Sequence, residues 1–147
     1  LRPESRGEVR INSADPSQPP TIIPNYLSTE GDQKIAVESI KVARKIAKAS
    51  SLKKYILDEF VPGKSYTSDE QLLEAAKNNS QSIYHPVGTC KMGNDDSSVV
   101  DDQLKVHGIS GLRVVDASIM PELISGNTNA PTMMIAEKAA DMILGEK

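Results

Sequence analysis

The segment at residues 84–93 places a histidine on a bent loop that contains two glycines. Pro86 fixes its own backbone angle and disfavours a helical conformation at His85. Gly88 and Gly93 permit turns and close approaches that a side chain would block. Imidazole is the side chain best matched to proton transfer near neutral pH. The loop therefore predicts a catalytic base, with a plain turn-capping role for His85 as the alternative.

A second polar segment lies further along the chain, directly before a predicted helix. Asn127 and Asn129 precede Pro131, and proline is favoured at the first position of a helix. The N–H groups and the dipole at the start of a helix attract negative charge. This pattern predicts a site for an anionic group, with two carboxamides at its mouth.

A short β-branched run at residues 112–115 ends at Asp116. As a buried strand it would deliver this carboxylate to the carboxyl edge of a sheet, where ligands of open α/β sheets bind. Asp116 could equally cap the turn that follows. Both interpretations stay open at this point.

Other reactive side chains give weaker signals. Cys90 is the only cysteine, so an internal disulfide is excluded, and one cysteine with two histidines is too few for a closed zinc site. The acidic residues at 95–102 lack the spacing of an EF-hand calcium loop. A thiol enzyme that pairs Cys90 with His85 has no evident third group to orient the pair. We therefore expect no metal.

Composition limits the class of protein. The chain has 147 residues, enough for one ordinary domain, and with one Phe and no Trp its core must be aliphatic. A net charge of −3 argues against nucleic acid or an anionic membrane as the main partner. The sequence contains no apolar run long enough to span a bilayer. We expect a cytoplasmic protein, and leave membrane association open.

The first half of the chain predicts two strands and three helices. Residues 7–12 and residues 21–23 predict short strands joined by a proline-rich connection. A helix is predicted from Asp32, as N-cap, to Ala49. Its predicted buried face comprises Ala36, Ile40, Ala43 and Ala47, widened by Ile35, Val42 and Ile46; its predicted wet face comprises Lys41, Arg44, Lys45 and Lys48.

The remaining elements follow from capping and periodicity. A short second helix is predicted at residues 51–60, and Ser68 with Gln71 forms a capping box that starts a third helix ending near Lys77. Residues 99–100 and 104–106 predict short strands. The predicted buried residues are Leu72, Leu73 and Ala76 in the third helix, and Ile135, Ala136, Ala139, Ala140 and Ile143 in a last helix from Pro131 to about Leu144.

Several segments in fixed order carry a family resemblance. They are His85-Pro86-Val87-Gly88-Thr89-Cys90-Lys91-Met92-Gly93, Val99-Val100-Asp101, Leu104-Lys105-Val106-His107-Gly108, Leu112-Arg113-Val114-Val115-Asp116-Ala117-Ser118-Ile119-Met120-Pro121 and Gly126-Asn127-Thr128-Asn129-Ala130-Pro131-Thr132. This series resembles the carboxyl-terminal region of the glucose–methanol–choline (GMC) flavin oxidoreductases, above all their choline and alcohol dehydrogenase branch. Residues 1–7 extend the similarity over nearly the whole chain.

The resemblance implies an α/β (α+β) fold and FAD-linked oxidation of a small alcohol. His85 matches the family's active-site histidine and would act as base or bind the developing alkoxide. Asn129 matches a second active-site position and would hold the substrate oxygen. Asp116 and Ala117 would lie along the ribityl and diphosphate part of FAD. The resemblance also places Asn127, Thr128, Thr132 and Met133 around the flavin's pyrimidine edge.

The same resemblance implies a division of the chain. Residues 1–83 would be part of a substrate-binding domain, residues 84–110 the histidine loop with short strands, and residues 111–147 a strand, turn and helix that join the FAD-binding domain. The family's G-x-G-x-x-G fingerprint does not occur in this sequence. We therefore expect this chain to be the carboxyl-terminal portion of a larger enzyme, inactive without the amino-terminal FAD-binding part.

Three alternatives stay open. A GMC-fold oxidase would use oxygen as electron acceptor, and a member like the hydroxynitrile lyases would keep the flavin without redox chemistry, because fold does not fix function. A non-catalytic binding module would leave His85 and Asn129 as ordinary loop residues.

Overall fold

The computed structural model describes residues 2–145, which form two compact units: residues 4–82, and residues 83–145 together with residues 2–3. Residues 1, 146 and 147, which the predicted terminal segments include, lie outside the described residues. The elements are β1 (Glu8–Arg10), β2 (Thr21–Ile23), α1 (Glu30–Ala47), α2 (Ser50–Lys53), α3 (Asp69–Asn79), a 3₁₀ helix (Ala117–Ile119) and α4 (Asn129–Gly145). This mixture of helices with a small sheet confirms the predicted fold class. No helix of residues 2–145 has the length and apolarity needed to cross a bilayer.

The first unit opens with the two predicted strands, and both are confirmed. β1 and β2 pair antiparallel, with Val9 opposite Ile22. Gly7, just before β1, lies so close to the Ile23 carbonyl oxygen that a Cβ at this position would overlap it. The proline-rich connection therefore returns the chain on itself as a hairpin.

The prediction that Asp32 caps α1 is wrong. Thr29 is the N-cap, and its side-chain oxygen accepts a hydrogen bond from the Asp32 amide. Asp32 is buried and instead accepts hydrogen bonds from the amides of Glu4 and Ser5, at 2.9 and 2.8 Å, and from the Ser5 hydroxyl. Its carboxylate therefore fastens the first residues of the chain to the start of the helix.

The buried face of α1 also differs from the prediction. Val37 is the buried apolar residue, with Ala36, Ile40 and Ala47 half-buried beside it. Ala43, Ile35, Val42 and Ile46 were predicted to be buried but are exposed. The inward face of α1 packs against α3, whose buried residues are Leu72, Ala75 and Ala76.

The basic residues of α1 are not all solvated, contrary to prediction. Arg44 is half-buried and makes a two-pronged salt bridge with Glu59, while its remaining N–H groups donate to the carbonyls of Tyr66 and Gly63. This salt bridge holds the pKa of the Glu59 carboxyl below its usual value. The segment at residues 54–63 is thus tied to α1 through its backbone and one carboxylate.

Two further predictions for this unit have different outcomes. The second helix was predicted at residues 51–60 but ends at Lys53, and the irregular segment that follows leaves Leu57 and Phe60 exposed. The capping box is confirmed, because the Ser68 hydroxyl accepts from the Gln71 amide and the Gln71 side chain accepts from the Ser68 amide. α3 begins where the capping box places it and ends at Asn79.

The second unit has a core of its own, made of loops and one long helix. Its buried members are Val100, Leu104, Ile119, Met120, Ile135 and Ala139. The strands predicted at residues 99–100, 104–106 and 112–115 reduce to isolated bridges, among them Val100 with Val106 and Lys105 with Arg113. α4 begins two residues before the predicted Pro131, and Ala136, Ala140 and Ile143, predicted to be buried, are exposed.

Candidate active site

The loop that carries His85 is fastened to the 3₁₀ helix by two backbone hydrogen bonds. The Cys90 amide donates to the Ser118 carbonyl at 3.0 Å, and the Met92 amide donates to the Ile119 carbonyl at 2.8 Å. Isolated loops leave their backbone groups to water, so pairing of this kind restrains the histidine loop to one path.

The bend beside His85 depends on two residues with positive φ. Tyr84 has a φ of 62° and Gly88 a φ of 89°. A Cβ on Gly88 would lie 3.2 Å from the carbonyl oxygen of Met120, closer than the carbonyl normally tolerates. Glycine is therefore required here both by the backbone angle and by the close approach, as the sequence predicts.

The far end of the same loop is held by the second histidine. The Gly93 amide donates to the Val100 carbonyl at 3.0 Å, and His107 Nε2 lies 2.9 Å from the Gly93 carbonyl oxygen. A carbonyl oxygen only accepts, so Nε2 of His107 carries the hydrogen. The loop is thus closed at both ends, and His107 has a structural contact that occupies one ring nitrogen.

A shared core brings the start of α4 to this loop. Ile119 and Met120, at the end of the 3₁₀ helix, pack in one cluster with Ile135 and Ala139 of α4. The 3₁₀ helix also holds the histidine loop through its carbonyl groups. Loop and helix start are therefore positioned against the same buried segment.

The contact that results joins His85 to the residue before α4. His85 Nδ1 lies 2.9 Å from the Thr128 hydroxyl oxygen, 43 residues along the chain. Thr128 is only 8% exposed and His85 is half-buried. One ring nitrogen is thus held inside the protein, and this hydrogen bond fixes the plane of the imidazole with Nε2 as the nitrogen available to a bound molecule.

Asn129 stands beside this pair as the first residue of α4. The carbonyl of Thr128 accepts hydrogen bonds from the Thr132 amide at 3.0 Å and from the Thr132 hydroxyl at 2.7 Å. These bonds fix the backbone just before Asn129, whose side chain is exposed, as is that of Asn127. A carboxamide therefore lies one residue from the threonine that holds His85.

The electrostatics of this helix start differ from those of the other two long helices. α1 and α3 each carry two acidic residues in the first turn, whereas α4 carries none. Acidic side chains in the first turn offset the positive end of the helix dipole. The start of α4 is therefore electrostatically suited to an anionic group from outside.

The acidic turn after the histidine loop has its hydrogen-bond partners close by in the sequence. Asp95 accepts hydrogen bonds from Ser97 and from Lys91, and these contacts hold the pKa of the Asp95 carboxyl far below its usual range. Within residues 2–145 the structure has no group of three His, Cys, Asp or Glu side chains arranged to share a metal ion.

Comparison with known proteins places this chain in a family. The family model described as GMC oxidoreductase matches residues 3–136. The chain belongs to the GMC oxidoreductase family. It is 51% identical over 144 residues to an alcohol dehydrogenase [acceptor] of Pseudomonas putida, covering 98% of this chain and 26% of that protein. It is 50% identical over 147 residues to an oxygen-dependent choline dehydrogenase of Escherichia coli, covering 100% of this chain and 26% of that protein.

The structural comparison agrees. An FAD-dependent oxidoreductase of Chaetomium thermophilum superposes on 99% of this chain with a TM-score of 0.92 and 32% identity, and the match covers 26% of that protein. The chain therefore spans about a quarter of the length of the relatives it matches. It has the fold of the carboxyl-terminal part of the GMC enzymes.

The structure gathers the residues predicted for the GMC site in one unit. His85 and Thr128 are in direct contact and Asn129 is next to them. Asp116 begins the 3₁₀ helix and its carboxylate accepts from the Ser118 amide at 2.7 Å, so of the two interpretations left open by the sequence the capping role is present.

The other predicted cofactor residues occupy the same two segments. Ala117 lies in the 3₁₀ helix, half-buried. Thr132 uses its hydroxyl within the first turn of α4, and Met133 is 56% exposed. Contact of these residues, and of Asn127 and Thr128, with FAD stays a prediction.

Two features of the site were missed by sequence reasoning. From the sequence, Thr128 is expected at the cofactor and not at His85, and no contact is expected of His107. Neither partner of Thr128 or of His107 is close in sequence, so no local pattern could have indicated either hydrogen bond. A hydroxyl residue directly before the predicted Asn129 was the only available signal.

Proposed function

We propose that this chain provides the active-site histidine and one wall of the flavin site of an FAD-dependent alcohol dehydrogenase that acts on choline-like CH–OH donors. The observation that carries the proposal is the hydrogen bond between His85 and Thr128 at the start of α4, with Asn129 as the next residue. Family membership supports the reaction class, and the contact between His85 and Thr128 supports the choice of residues.

The start of α4 fits the cofactor of this family. The first turn has no acidic residue, and Asn127 and Asn129 are exposed beside it. A helix dipole without a compensating carboxylate stabilises negative charge such as that of a reduced flavin ring. Asn127, Thr128, Thr132 and Met133 would lie at the ring, and Asp116 and Ala117 along the rest of FAD. The chemistry that FAD supplies when bound is acceptance of a hydride from the alcohol carbon.

His85 has the task of moving the hydroxyl proton. With Nδ1 held by Thr128, Nε2 is the nitrogen that accepts the proton of the substrate hydroxyl. The alcohol then loses one proton to His85 and one hydride from carbon, which leaves a carbonyl compound. The Asn129 carboxamide donates a hydrogen bond to the same oxygen and so favours the negative charge that develops there.

The names of the relatives narrow the substrate class and the acceptor. One is an alcohol dehydrogenase [acceptor] and the other an oxygen-dependent choline dehydrogenase, at nearly equal identity. We infer small alcohols, choline among them, as substrates. The second relative also favours an alternative, an enzyme of the same site that uses oxygen as electron acceptor.

The remaining partner is an FAD-binding portion outside this chain. α4 exposes four large apolar side chains, Met133, Met134, Ile143 and Leu144. Apolar surface of this kind on one helix is typical of a buried contact in a larger protein. We propose that residues 111–147 join the FAD-binding domain through this helix, and that residues 1–83 contribute to the substrate domain.

The proposal is tested in the flavin-bearing protein that contains this chain. His85→Ala should lower kcat by roughly a hundredfold or more, because general-base catalysis contributes about 10²–10⁴ in rate, while the flavin absorbance stays unchanged. His107→Ala is the matched control and should lower kcat less than tenfold, since that ring only braces the Gly93 carbonyl. An alcohol panel with oxygen and with dye acceptors identifies substrate and acceptor. Wild-type turnover in His85→Ala would refute the assignment.

A further inference from the structure

The hydroxyl of Thr128 occupies a position that threonine and serine use for a different purpose in the two other long helices. Thr29 before α1 and Ser68 before α3 each accept a hydrogen bond from the amide three residues on. These amides, of Asp32 and Gln71, would otherwise lack a partner, which is why a hydroxyl at this position stabilises a helix. In α1 and α3 the hydroxyl is thus used as a cap.

In α4 the amide that the hydroxyl caps in α1 and α3 is missing from the sequence. Thr128 is in the N-cap position, because it precedes the first residue of the helix and its carbonyl accepts from the Thr132 amide. The residue three positions on is Pro131, which has no N–H to donate. The Thr128 hydroxyl therefore has no amide three residues on to accept from, and it lies 2.9 Å from His85 Nδ1.

The chemistry of imidazole decides what this contact does. A neutral imidazole has one N–H, so only one of its two nitrogens can act as base. If Nε2 is to accept a proton, the hydrogen must be on Nδ1, and an acceptor must lie within hydrogen-bond distance of Nδ1. The Thr128 oxygen has lone pairs for this hydrogen, and at 8% exposure it faces little competition from water.

We propose that Thr128 is a positioning residue that accepts the Nδ1–H of His85 and thereby fixes the tautomer with Nε2 unprotonated. This inference rests on the proposed function for its catalytic meaning, but the tautomer itself is a property of the chain. Thr128 acts through the imidazole and not on the reacting atoms. Pro131 is the second part of the arrangement, since it removes the amide that the hydroxyl accepts from in α1 and α3.

The tautomer is measured in the flavin-bearing protein that contains this chain, labelled with ¹⁵N-histidine. The ring pattern that disappears in His85→Asn is that of His85, and His107→Asn identifies that of His107 in the same way. At about pH 8.5, where an ordinary imidazole is neutral, long-range ¹⁵N–¹H correlations should show hydrogen on Nδ1 of His85. The opposite tautomer in the wild-type chain would overturn the proposal without any variant.

Two variants separate positioning from packing. Thr128→Val keeps the branched shape but removes the hydroxyl, and should shift His85 toward the Nε2–H form, whereas Thr128→Ser should retain Nδ1–H. In the flavin-bearing protein Thr128→Val should lower kcat about tenfold with KM little changed, as expected for loss of one hydrogen bond, and Thr128→Ser should restore most of it. An unchanged tautomer and kcat in Thr128→Val would refute the role.

The two proposals fail in distinguishable ways. If the wild-type flavoprotein oxidises no alcohol, the proposed function fails, while the ring pattern still tests the contact between Thr128 and His85. If His85→Ala abolishes turnover but the ring pattern shows hydrogen on Nε2, the function stands and the role of Thr128 does not.

Discussion

The helix starts of one unit and the histidines of the other are fixed by hydrogen bonds that span different distances along the chain. In residues 4–82 the helix starts are set by Thr29 and Ser68, each bonded to an amide three residues away. In residues 83–145 the decisive hydrogen bonds join His85 to Thr128 and His107 to Gly93, 43 and 14 residues apart. The helix starts of the first unit thus depend on local signals, whereas the two histidines of the second unit bond to distant segments.

The comparison has a functional meaning. A catalytic group must hold its geometry, and loops do so only when other segments satisfy their backbone groups. The histidine loop has little regular structure but is bonded at Cys90, Met92 and Gly93 to segments further along the chain. Tertiary hydrogen bonds therefore replace secondary structure at the histidine that carries the chemistry.

The largest effect on the free energy of unfolding is expected from the core of the first unit, residues 4–82. Leu72 is 1% exposed between α3 and α1, and Leu72→Ala should lower the free energy of unfolding by about 2–5 kcal/mol through lost burial and a residual cavity. Leu57→Ala is the matched control, since Leu57 is fully exposed, and should change it by less than about 0.5 kcal/mol. Urea titration measures both. Equal effects would contradict the assignment of the core to the interface of α1 and α3.

The next largest effect on stability is expected from the contact of Asp32 with the start of the chain, in the same unit. Asp32→Asn removes acceptor capacity for the Glu4 and Ser5 amides and should cost about 1–3 kcal/mol at neutral pH. Burial raises the pKa of Asp32, but the hydrogen bonds from Ser5 and from the Glu4 amide outweigh it, so the pKa lies below its ordinary value. A lowered pKa in the folded state gives stability above the unfolded pKa of about 3.9, and this stability is lost as the pH falls through the folded value.

The pH dependence gives this prediction its control. The difference between wild type and Asp32→Asn should be constant above about pH 5 and shrink below about pH 4. Asp102→Asn, on an exposed turn, should produce little difference at any of these values. A gap for Asp32→Asn that widens in acid would show that the carboxylate is not the favoured form in the folded chain.

A smaller loss of stability is expected from a substitution in the histidine loop. Gly88→Ala forces a side chain into a positive φ and toward the Met120 carbonyl, at an expected cost of about 1–2 kcal/mol. Gly108→Ala is the matched variant, because Gly108 has a φ of 76° and no atom within 4 Å of the position that an alanine methyl carbon would take. Thermal unfolding of both variants isolates the close approach. Only Gly88→Ala should also lower kcat of the flavoprotein, because the bend beside His85 must move.

The sequence predicted those parts of the fold whose causes lie within a few residues. The Ser68 capping box, the two short strands β1 and β2 and the existence of α4 all follow from short patterns, and all are present. Asp32 was misassigned because two candidate caps, Thr29 and Asp32, stand three residues apart, and the tertiary contacts with Glu4 and Ser5 decide between them.

Tertiary contacts also account for the other misses. Ile35, Val42 and Ile46 fit a helical stripe, but α3 contacts the face centred on Val37. The sequence predicted which residues form the site but not how they contact one another. His85 and Asn129 were found from motifs. The hydrogen bond between His85 and Thr128 depends on the core that joins α4 to the 3₁₀ helix. Such a contact has no sequence pattern of its own, although Pro131 shows that the amide three residues after Thr128 is absent.

The smallest effect on stability is expected from the loss of a helix cap, the local hydrogen bond at the start of α3. Ser68→Ala removes the hydroxyl that accepts the Gln71 amide and should lower the free energy of unfolding by about 1 kcal/mol. Ser80→Ala, at the exposed carboxyl end of the same helix, is the control and should change it by no more than a few tenths. Hydrogen exchange should quicken at the first turn of α3, while the amides of Cys90 and Met92 keep their protection. Loss of protection in that loop after Ser68→Ala would mean that the capping bond stabilises more than its own helix, and the contrast between local and long-range organisation would no longer hold.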